Sequence, residues 1–347
     1  MPQKIEQPFD RIVRGTEEQK AKAKQLLQEA FNEVEYEDLR PYLVEQTREE
    51  REIIDQVVLT VDEIVKRYGG KPKPFPKDKI FVLRPGGVRE VTGGELGGAF
   101  NSPIAHRIVI DRTPSKLEFA LTLAHELLHL RGYKSAQVPR SGGVAPYRSG
   151  VVLYDLERNK EFFSELEEAI VTEITYSRVY QELARTQHFQ KELLAVNEIK
   201  KWILATTRKR NPQGLESAQQ YLEEIYTFDN VEKILDVLRG DKNDDYKIRY
   251  LQGLFGVELK MGKYRKERRR ERERLYRLLD EIVAKSGGKF KSRDDIFEEL
   301  ARANFTGNII GIGRIMEETL GKGSFRRLAE EFAETKQLKK KNLSKNN

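Results

Sequence analysis

Apolar residues recur at helical spacing in two stretches of the first half of the chain. From Thr47 to Gly69 they form a single stripe, and Thr47-x-x-Glu50 supplies a capping box at its start. The stripe consists of Ile53, Ile54, Val57, Val58, Val61, Ile64 and Val65. From Ser115 to Gly132, apolar residues instead cover most of the helix circumference. The first pattern predicts a helix on one side of a core, and the second predicts a helix buried nearly all round.

The second of these helices carries a polar stripe among its apolar residues. It starts either at Thr113-Pro114, with proline in the first turn, or at Ser115, through Ser115-x-x-Glu118. One apolar face comprises Leu117, Ala120, Leu121, Ala124 and Leu128, and the polar stripe comprises Glu118, Thr122, His125, Glu126 and His129. Buried polar side chains need partners. The stripe therefore predicts that a ligand or a metal ion lies against this helix.

Within the stripe, residues 125–129 form the H-E-x-x-H motif His-Glu-Leu-Leu-His. Positions i and i+4 share one helix face, so His125 and His129 can offer imidazole nitrogens to one zinc ion. Glu126 lies beside them, where its carboxylate can accept a proton from water at the metal. The alternative is a pair of core histidines with Glu126 as a surface charge. Because the chain has four histidines and two of them have this spacing, the metal interpretation is favoured.

A catalytic zinc site usually has three protein ligands and a water, so a third ligand is needed. No histidine follows at a suitable spacing. His106 lies in a strand-like segment and His188 among polar residues, and we expect both at the surface. A carboxylate from a second helix, beginning at Ser164, is the better candidate.

Three glutamates in the first turn of that second helix compete for the role of third ligand. Ser164-x-x-Glu167 predicts a capping box, which gives Glu167 a structural task. Glu168 is then left to face the histidines, and it is the predicted ligand. Glu165 and Glu167 are the alternatives. A further alternative is that all three simply favour the positive end of the helix dipole.

These motifs resemble the gluzincin metallopeptidases, the thermolysin-like clan, and especially their small minigluzincin cores, over about residues 50–180. The resemblance implies a zincin-like α+β fold, with a small, mainly antiparallel sheet packed on the HExxH helix and on a glutamate-bearing helix. It implies zinc on His125, His129 and Glu168, with Glu126 as the general base.

The second motif departs from the family pattern at two positions. Glu167 replaces the asparagine that commonly precedes the ligand glutamate. Thr172 stands where several members carry an acidic residue that orients a ligand histidine. Glu173 is the residue that we expect to compensate.

Short strands separated by Gly-Gly and Pro-Gly pairs are predicted around the two motifs. They are Lys79–Leu83, Val88–Val91, Gly97–Asn101 and His106–Asp111, followed by a hairpin of Arg148–Leu153 and Lys160–Phe163. In the families resembled, an edge strand pairs with the substrate backbone, and Gly97–Asn101 is our candidate for it; the alternative is that its glycines only make turns. Those families also use a tyrosine or histidine to stabilise the oxyanion. The candidates are Tyr133, Tyr147, Tyr154, Tyr176 and Tyr180.

The chain is 347 residues long and exceeds one average domain. We predict an N-terminal helical segment (1–45), a zincin-like metallopeptidase domain (46–181), a helical accessory domain (182–335) and a basic disordered tail (336–347). The first segment contains a helix from Thr16 to near Asn32. Trp202 is expected in the core of the accessory domain.

Composition narrows the class of protein. The absence of cysteine excludes a disulfide framework and a Cys-ligated zinc ribbon. The N-terminus lacks the apolar segment of a signal peptide, and no apolar run approaches the ~20 residues of a membrane span. We therefore expect a soluble, cytoplasmic protein that acts on a peptide or protein substrate rather than at a membrane.

Charge supports a competing interpretation. The net charge is +7, and residues 263–277 are densely basic, as expected of a surface that contacts phosphates. The glutamates at 267, 271 and 273 can pair with Arg270, Arg274 and Arg277 one turn later, which favours a solvated helix face. The sequence thus predicts a zinc-dependent peptidase. A second enzymatic hypothesis is a peptidase that cleaves a single regulatory protein. The alternative is a non-catalytic nucleic-acid-binding or scaffold protein with a vestigial metal motif.

Overall fold

The computed structural model describes residues 9–32, 38–223, 231–251 and 263–333. These residues form an α+β protein, as predicted. The helices are α1 (Glu17–Asn32), α2 (Arg48–Arg67), α3 (Gly87–Val91), α4 (Lys116–Arg131), α5 (Ser164–Ile174), α6 (Tyr180–Leu183), α7 (Gln187–Arg210), α8 (Leu215–Glu223), α9 (Val231–Arg239), α10 (Lys263–Lys285), α11 (Arg293–Thr306), α12 (Ile309–Leu320) and α13 (Ser324–Glu331). Residues 244–251 are also helical, and a π-helical turn, Thr175–Val179, joins α5 to α6.

The strands form two small sheets rather than one. They are β1 (Arg11–Val13), β2 (Ile80–Leu83), β3 (Ala99–Ser102), β4 (Arg107–Asp111), β5 (Lys134–Gln137), β6 (Ala145–Ser149), β7 (Val152–Asp155) and β8 (Lys160–Phe162). One sheet has the order β1-β5-β6-β7-β8 and the other β2-β4-β3. Each contains one parallel pair, β1 with β5 and β2 with β4, and the remaining pairs are antiparallel. The predicted antiparallel pairing therefore holds for most neighbours, and each sheet is mixed.

One predicted strand is wrong. Residues Val88–Val91 belong to helix α3, because the chain turns at Gly86 and the Asp111 carboxylate accepts hydrogen bonds from the amides of Gly86 (3.1 Å) and Val88 (2.8 Å). A carboxylate at the first amides of a helix stabilises its start. The sequence pattern of these residues contained no sign of this distant acceptor.

The predicted hairpin is present with a different first strand. Strands β7 and β8 pair antiparallel on either side of the Asp155 turn. Residues 148–153, expected as one strand, instead comprise the end of β6, a turn at Gly150 (φ +56°) and the start of β7. The N-terminal segment differs as well, because it supplies strand β1 to the five-stranded sheet in addition to the predicted helix α1.

Both helices predicted from apolar spacing are confirmed with their caps. Helix α2 begins in the Thr47–Glu50 capping box. Helix α4 begins at Ser115 rather than at Thr113-Pro114, and the Ser115 hydroxyl oxygen accepts a hydrogen bond from the Glu118 amide at 2.9 Å. The α4 core side chains are buried on nearly every side, among them Leu117, Phe119, Ala120, Leu121, Leu123, Ala124, Leu127, Leu128 and Leu130.

The predicted accessory domain divides between two hydrophobic cores. Helices α10–α13 share the core of α2, α4 and α5. Parts of α7, α8 and α9, together with Leu251, form a separate core, against which Trp202 packs half-buried. The C-terminal helices are therefore part of the body that carries the H-E-x-x-H motif.

The basic helix α10 has one solvated side and one side that contacts the protein. Arg270 is exposed, and Arg269 pairs with Glu273 at 2.9 Å. Arg272 and Arg274 instead reach across to glutamates on α5. The expectation of a solvated face is thus wrong for these two arginines. The tail 336–347 lies outside the described residues, and within those residues no helix is long and apolar enough to cross a membrane.

Candidate metal centre

Helices α4 and α5 bring His125, His129 and Glu168 together. The two histidine Nε2 atoms lie 3.1 Å apart. The Glu168 carboxylate oxygens lie 3.0 Å from the Nε2 of His125 and 3.2 Å from the Nε2 of His129. These are the residues selected from the sequence as metal ligands.

The spacing of these atoms fits a common metal ion. Tetrahedral ligands at roughly 2.0–2.1 Å from one ion are about 3.3 Å from one another. His125 is buried and His129 nearly so, whereas 31% of the Glu168 side chain is exposed. The group can therefore hold a metal ion, with the Glu168 side open to solvent.

The charges of this cluster favour a bound cation. Burial alone would lower the pKa of His129, but the Glu167 and Glu168 carboxylates outweigh it and raise that pKa well above its usual value. Burial would raise the pKa of Glu168, yet the His125 and His129 imidazoles hold it well below its usual value. Without a metal, the two carboxylates favour the protonated form of His129, and a divalent cation can replace that proton.

Glu167 does not cap its helix. Helix α5 follows Phe163, which has a left-handed conformation (φ +63°), and no side-chain cap is formed there. The Glu167 carboxylate instead lies 2.8 Å from His129 Nδ1. The predicted capping box is wrong, because Phe163 rather than Ser164 is the N-cap residue and Ser164 is already the first residue of the helix. A carboxylate on the second nitrogen of a ligand histidine fixes the ring and increases its basicity.

The other acidic residues of α5 face away from the histidines. Glu165 pairs with Arg274, and Glu173 pairs with Arg272. The expectation that Glu173 compensates for Thr172 is therefore wrong. Thr172 Oγ1 is buried without a hydrogen-bond partner among the described residues, as is the Nδ1 of His125.

Glu126 has a partner on the sheet edge. The Asn101 side-chain amide donates a hydrogen bond to Glu126 Oε2 at 2.7 Å. Asn101 lies on β3, one of the two edge strands of the three-stranded sheet, and the edge position agrees with the prediction for the segment Gly97–Asn101. The bond leaves Oε1 of Glu126 available for another partner.

The two remaining histidines lie outside the cluster. His106 is buried between the rings of Phe31 and Phe75. Burial and nearby lysine and arginine charges lower its pKa well below the usual value. The prediction of a surface position is wrong for His106. The aromatic residues that bury it are distant in the sequence, so the local pattern around His106 did not indicate its burial. His188 is partly exposed on α7.

Among the tyrosines considered for the oxyanion, Tyr154 is the one whose charge environment includes the site. Burial, followed by the charges of Glu161 and Glu167, raises its pKa, so the phenol stays protonated and can donate a hydrogen bond. Tyr133 lies under Arg148, and Tyr147 lies under Arg14. Tyr176 and Tyr180 pack on the main core.

Two residues near the site were not identified from the sequence. Gly150 has no side chain because a Cβ there would lie 2.1 Å from the Asn304 Oδ1 and 3.2 Å from the Glu167 Cγ. Asn304, on α11, is buried, and its Oδ1 accepts a hydrogen bond from the Val151 amide at 3.1 Å. The glycine between β6 and β7 was a signal for a turn, but nothing local indicated Asn304.

Comparisons of this chain with protein-family models, curated proteins and solved structures give no significant match.

Proposed function

We propose that this protein is a zinc-dependent peptidase of the gluzincin type. The observation that supports this most is the arrangement of three potential ligands with Glu126 adjacent in the chain and hydrogen-bonded to an edge strand. A metal-binding group alone would need only the three ligands. Hydrolysis also requires a carboxylate that can accept a proton from water, and Glu126 follows the ligand His125 directly in the chain.

The donor set suits zinc. Two neutral imidazoles and one carboxylate are a common ligand set of catalytic zinc sites, which keep the fourth position for water or substrate. Zinc in this position would lower the pKa of water there and polarise a substrate carbonyl. The exposure of Glu168 supports an opening on that side.

The chain supplies the proton transfers and the substrate alignment. In the proposed mechanism, Glu126 accepts the proton of the attacking water and returns it to the leaving amine nitrogen. Asn101 holds one oxygen of Glu126 through its amide, which leaves the other for the proton. Within the described residues, β3 pairs with a strand on one side only, so an extended peptide can add to its other side, which would place the scissile bond beside Glu126.

The test combines metal analysis with hydrolysis of a mixed quenched-fluorescence peptide library. We expect wild-type protein to contain zinc and to cleave peptides, and a chelator to abolish cleavage reversibly. Glu126→Gln should keep the metal and lose about 10²–10⁴-fold in rate, because an amide cannot accept the proton. The matched control is Glu63→Gln, the same change at an exposed residue of α2.

Full activity of Glu126→Gln with zinc bound would rule out the proposed mechanism. Zinc binding without cleavage of any library peptide or protein substrate would rule out the general peptidase and leave the metal site.

A further inference from the structure

The basic helix α10 lies directly against the ligand-bearing helix α5. Arg272 pairs with Glu173 at 2.9 Å, and Arg274 pairs with Glu165. The Tyr276 hydroxyl donates a second hydrogen bond to Glu173 at 2.6 Å. Glutamates near both ends of α5 are therefore connected to one helix that lies about a hundred residues later in the chain.

The start of α5 depends on the same C-terminal region. No side-chain cap forms at Phe163. The Glu165 amide instead donates to the Phe332 carbonyl at 3.3 Å. Arg274 donates to the Glu331 carbonyl at 2.9 Å while it pairs with Glu165, so one guanidinium joins the first turn of α5 to the end of α13.

Glu168 lies between these two attachment points. Its carboxylate must meet two histidines that belong to a different helix, and a metal site tolerates only small displacements of a ligand. A shift of α5 along α4 would separate Glu168 from both Nε2 atoms at once. The attachments to α10 oppose that shift.

We propose that Arg272 and Arg274 are positioning residues for the metal cluster, holding α5 through Glu173 and Glu165 where Glu168 meets the histidines of α4. The inference rests on the metal binding that we propose for this cluster and is independent of peptide hydrolysis. It assigns a function to the basic helix α10, which would hold a ligand-bearing helix in position without binding the metal itself.

The test measures metal affinity in charge-reversed variants of one pair. Arg274→Glu and Glu165→Arg are compared with the double variant that exchanges the two charges. Arg270→Glu is the matched control, since it makes the same change at an exposed position of the same helix. Zinc affinity is measured by competition with a chromophoric chelator, and the visible spectrum of the cobalt(II)-loaded protein reports the coordination geometry.

We expect each single reversal to weaken zinc binding about 3–10-fold, less than the roughly 10–100-fold caused by losing a direct partner of a ligand. The double variant should recover most of the lost affinity and the wild-type cobalt spectrum. Arg270→Glu should match wild type. Recovery in the exchanged pair separates positioning by this contact from a general loss of structure.

If Arg274→Glu fails to fold, Glu165→Gln decides, because it removes the pair at a side chain that is 34% exposed and keeps its shape. Unchanged affinity and cobalt spectrum in the folded variants would overturn the inference, and so would a double variant as weak as the single ones. A wild-type protein that binds neither zinc nor cobalt would overturn both this inference and the proposed function. The expected affinity changes in a protein without peptidase activity would support the inference and contradict only the function.

Discussion

Helices α4 and α5 contribute to one group of potential metal ligands but are held in place by different forces. Helix α4 has sixteen residues, is apolar on most of its surface and is buried on nearly every side. Helix α5 has eleven residues, starts without a side-chain cap and has its outer glutamates paired with α10. Apolar burial tolerates many partners of similar shape. Ion pairs and hydrogen bonds instead locate a helix relative to particular side chains.

This difference explains which ligands are most easily recognised. His125 and His129 follow from the spacing within α4 alone. The position of Glu168 depends on where α5 lies, and that depends on residues far along the chain. Four changes to the protein or its conditions test this contrast, and the change with the largest expected effect is at Glu168.

Removing the ligand from α5 should abolish tight metal binding without unfolding the protein. Glu168→Ala deletes a carboxylate that lies within 3.0–3.2 Å of both Nε2 atoms. We expect a loss of affinity above the roughly 100-fold upper range for direct partners of ligands. Metal analysis and circular dichroism of the purified variant provide the measurement. Stoichiometric zinc in Glu168→Ala would exclude it as a ligand.

A cavity in α4 should do the opposite, reducing stability while leaving the ligand set intact. Leu123 is fully buried in the main core. Leu123→Ala should lower the free energy of unfolding by about 2–5 kcal/mol, as large-to-small core substitutions do. Urea unfolding of the zinc-loaded protein measures this, and the metal content of the folded fraction should be unchanged. A stability loss below about 0.5 kcal/mol would contradict the role that we assign to apolar burial in α4.

Loss of the Glu167 carboxylate should weaken the metal site from the second side of His129. With its oxygens 2.8 Å from Nδ1, Glu167→Ala should reduce zinc affinity about 10–100-fold. Glu167→Gln, which keeps a hydrogen-bond acceptor, should lose less. Zinc competition assays distinguish the two variants. An Ala variant with wild-type affinity and reduced stability would support the capping role that the local sequence suggested.

The smallest expected effect is a pH dependence of the stability of the metal-free protein. It arises from charged side chains of α4 and α5 that face each other. Because the pKa of His129 is raised in the folded protein, this group stabilises the fold at pH values below 6.5, its usual pKa. The contribution is lost as the pH rises through the raised pKa. Because the pKa of Glu168 is lowered in the folded protein, this group stabilises the fold at pH values above 4.5, its usual pKa. The contribution is lost as the pH falls through the lowered pKa. Both contributions are complete between 4.5 and 6.5.

Thermal unfolding of chelator-treated protein should therefore show a higher Tm near the middle of that window than at alkaline pH. Saturating zinc should reverse the alkaline loss, since the metal replaces the proton. Equal Tm values across the pH range would show that the charges of His129 and Glu168 do not stabilise the folded protein.

Features with a local periodicity were predictable from the sequence. Helices α1, α2 and α4 and the cap at Thr47 are confirmed, because apolar spacing and capping residues act within a few positions. The selection of Glu168 placed the residue beside the histidines, but it relied on a cap that the structure lacks.

Features that depend on distant partners were not predictable. The helix at Val88 requires Asp111, and the burial of His106 requires Phe31 and Phe75. The pairs that hold α5 join residues 99 and 109 positions apart. Charge spacing along α10 predicted a partner for Arg274 one turn away, but Arg274 pairs with Glu165 on another helix.

This separation also affects the order of events during synthesis of the chain. Roughly 100 residues at about 5–20 residues per second correspond to several seconds between the appearance of α5 and that of its arginine partners. Over that interval, Glu165 and Glu173 lack their partners on α10. The nascent chain therefore presents His125 and His129 before the helix carrying Glu168 is fixed. We therefore expect the proposed metal site to reach its full affinity only after the C-terminal helices have emerged from the ribosome.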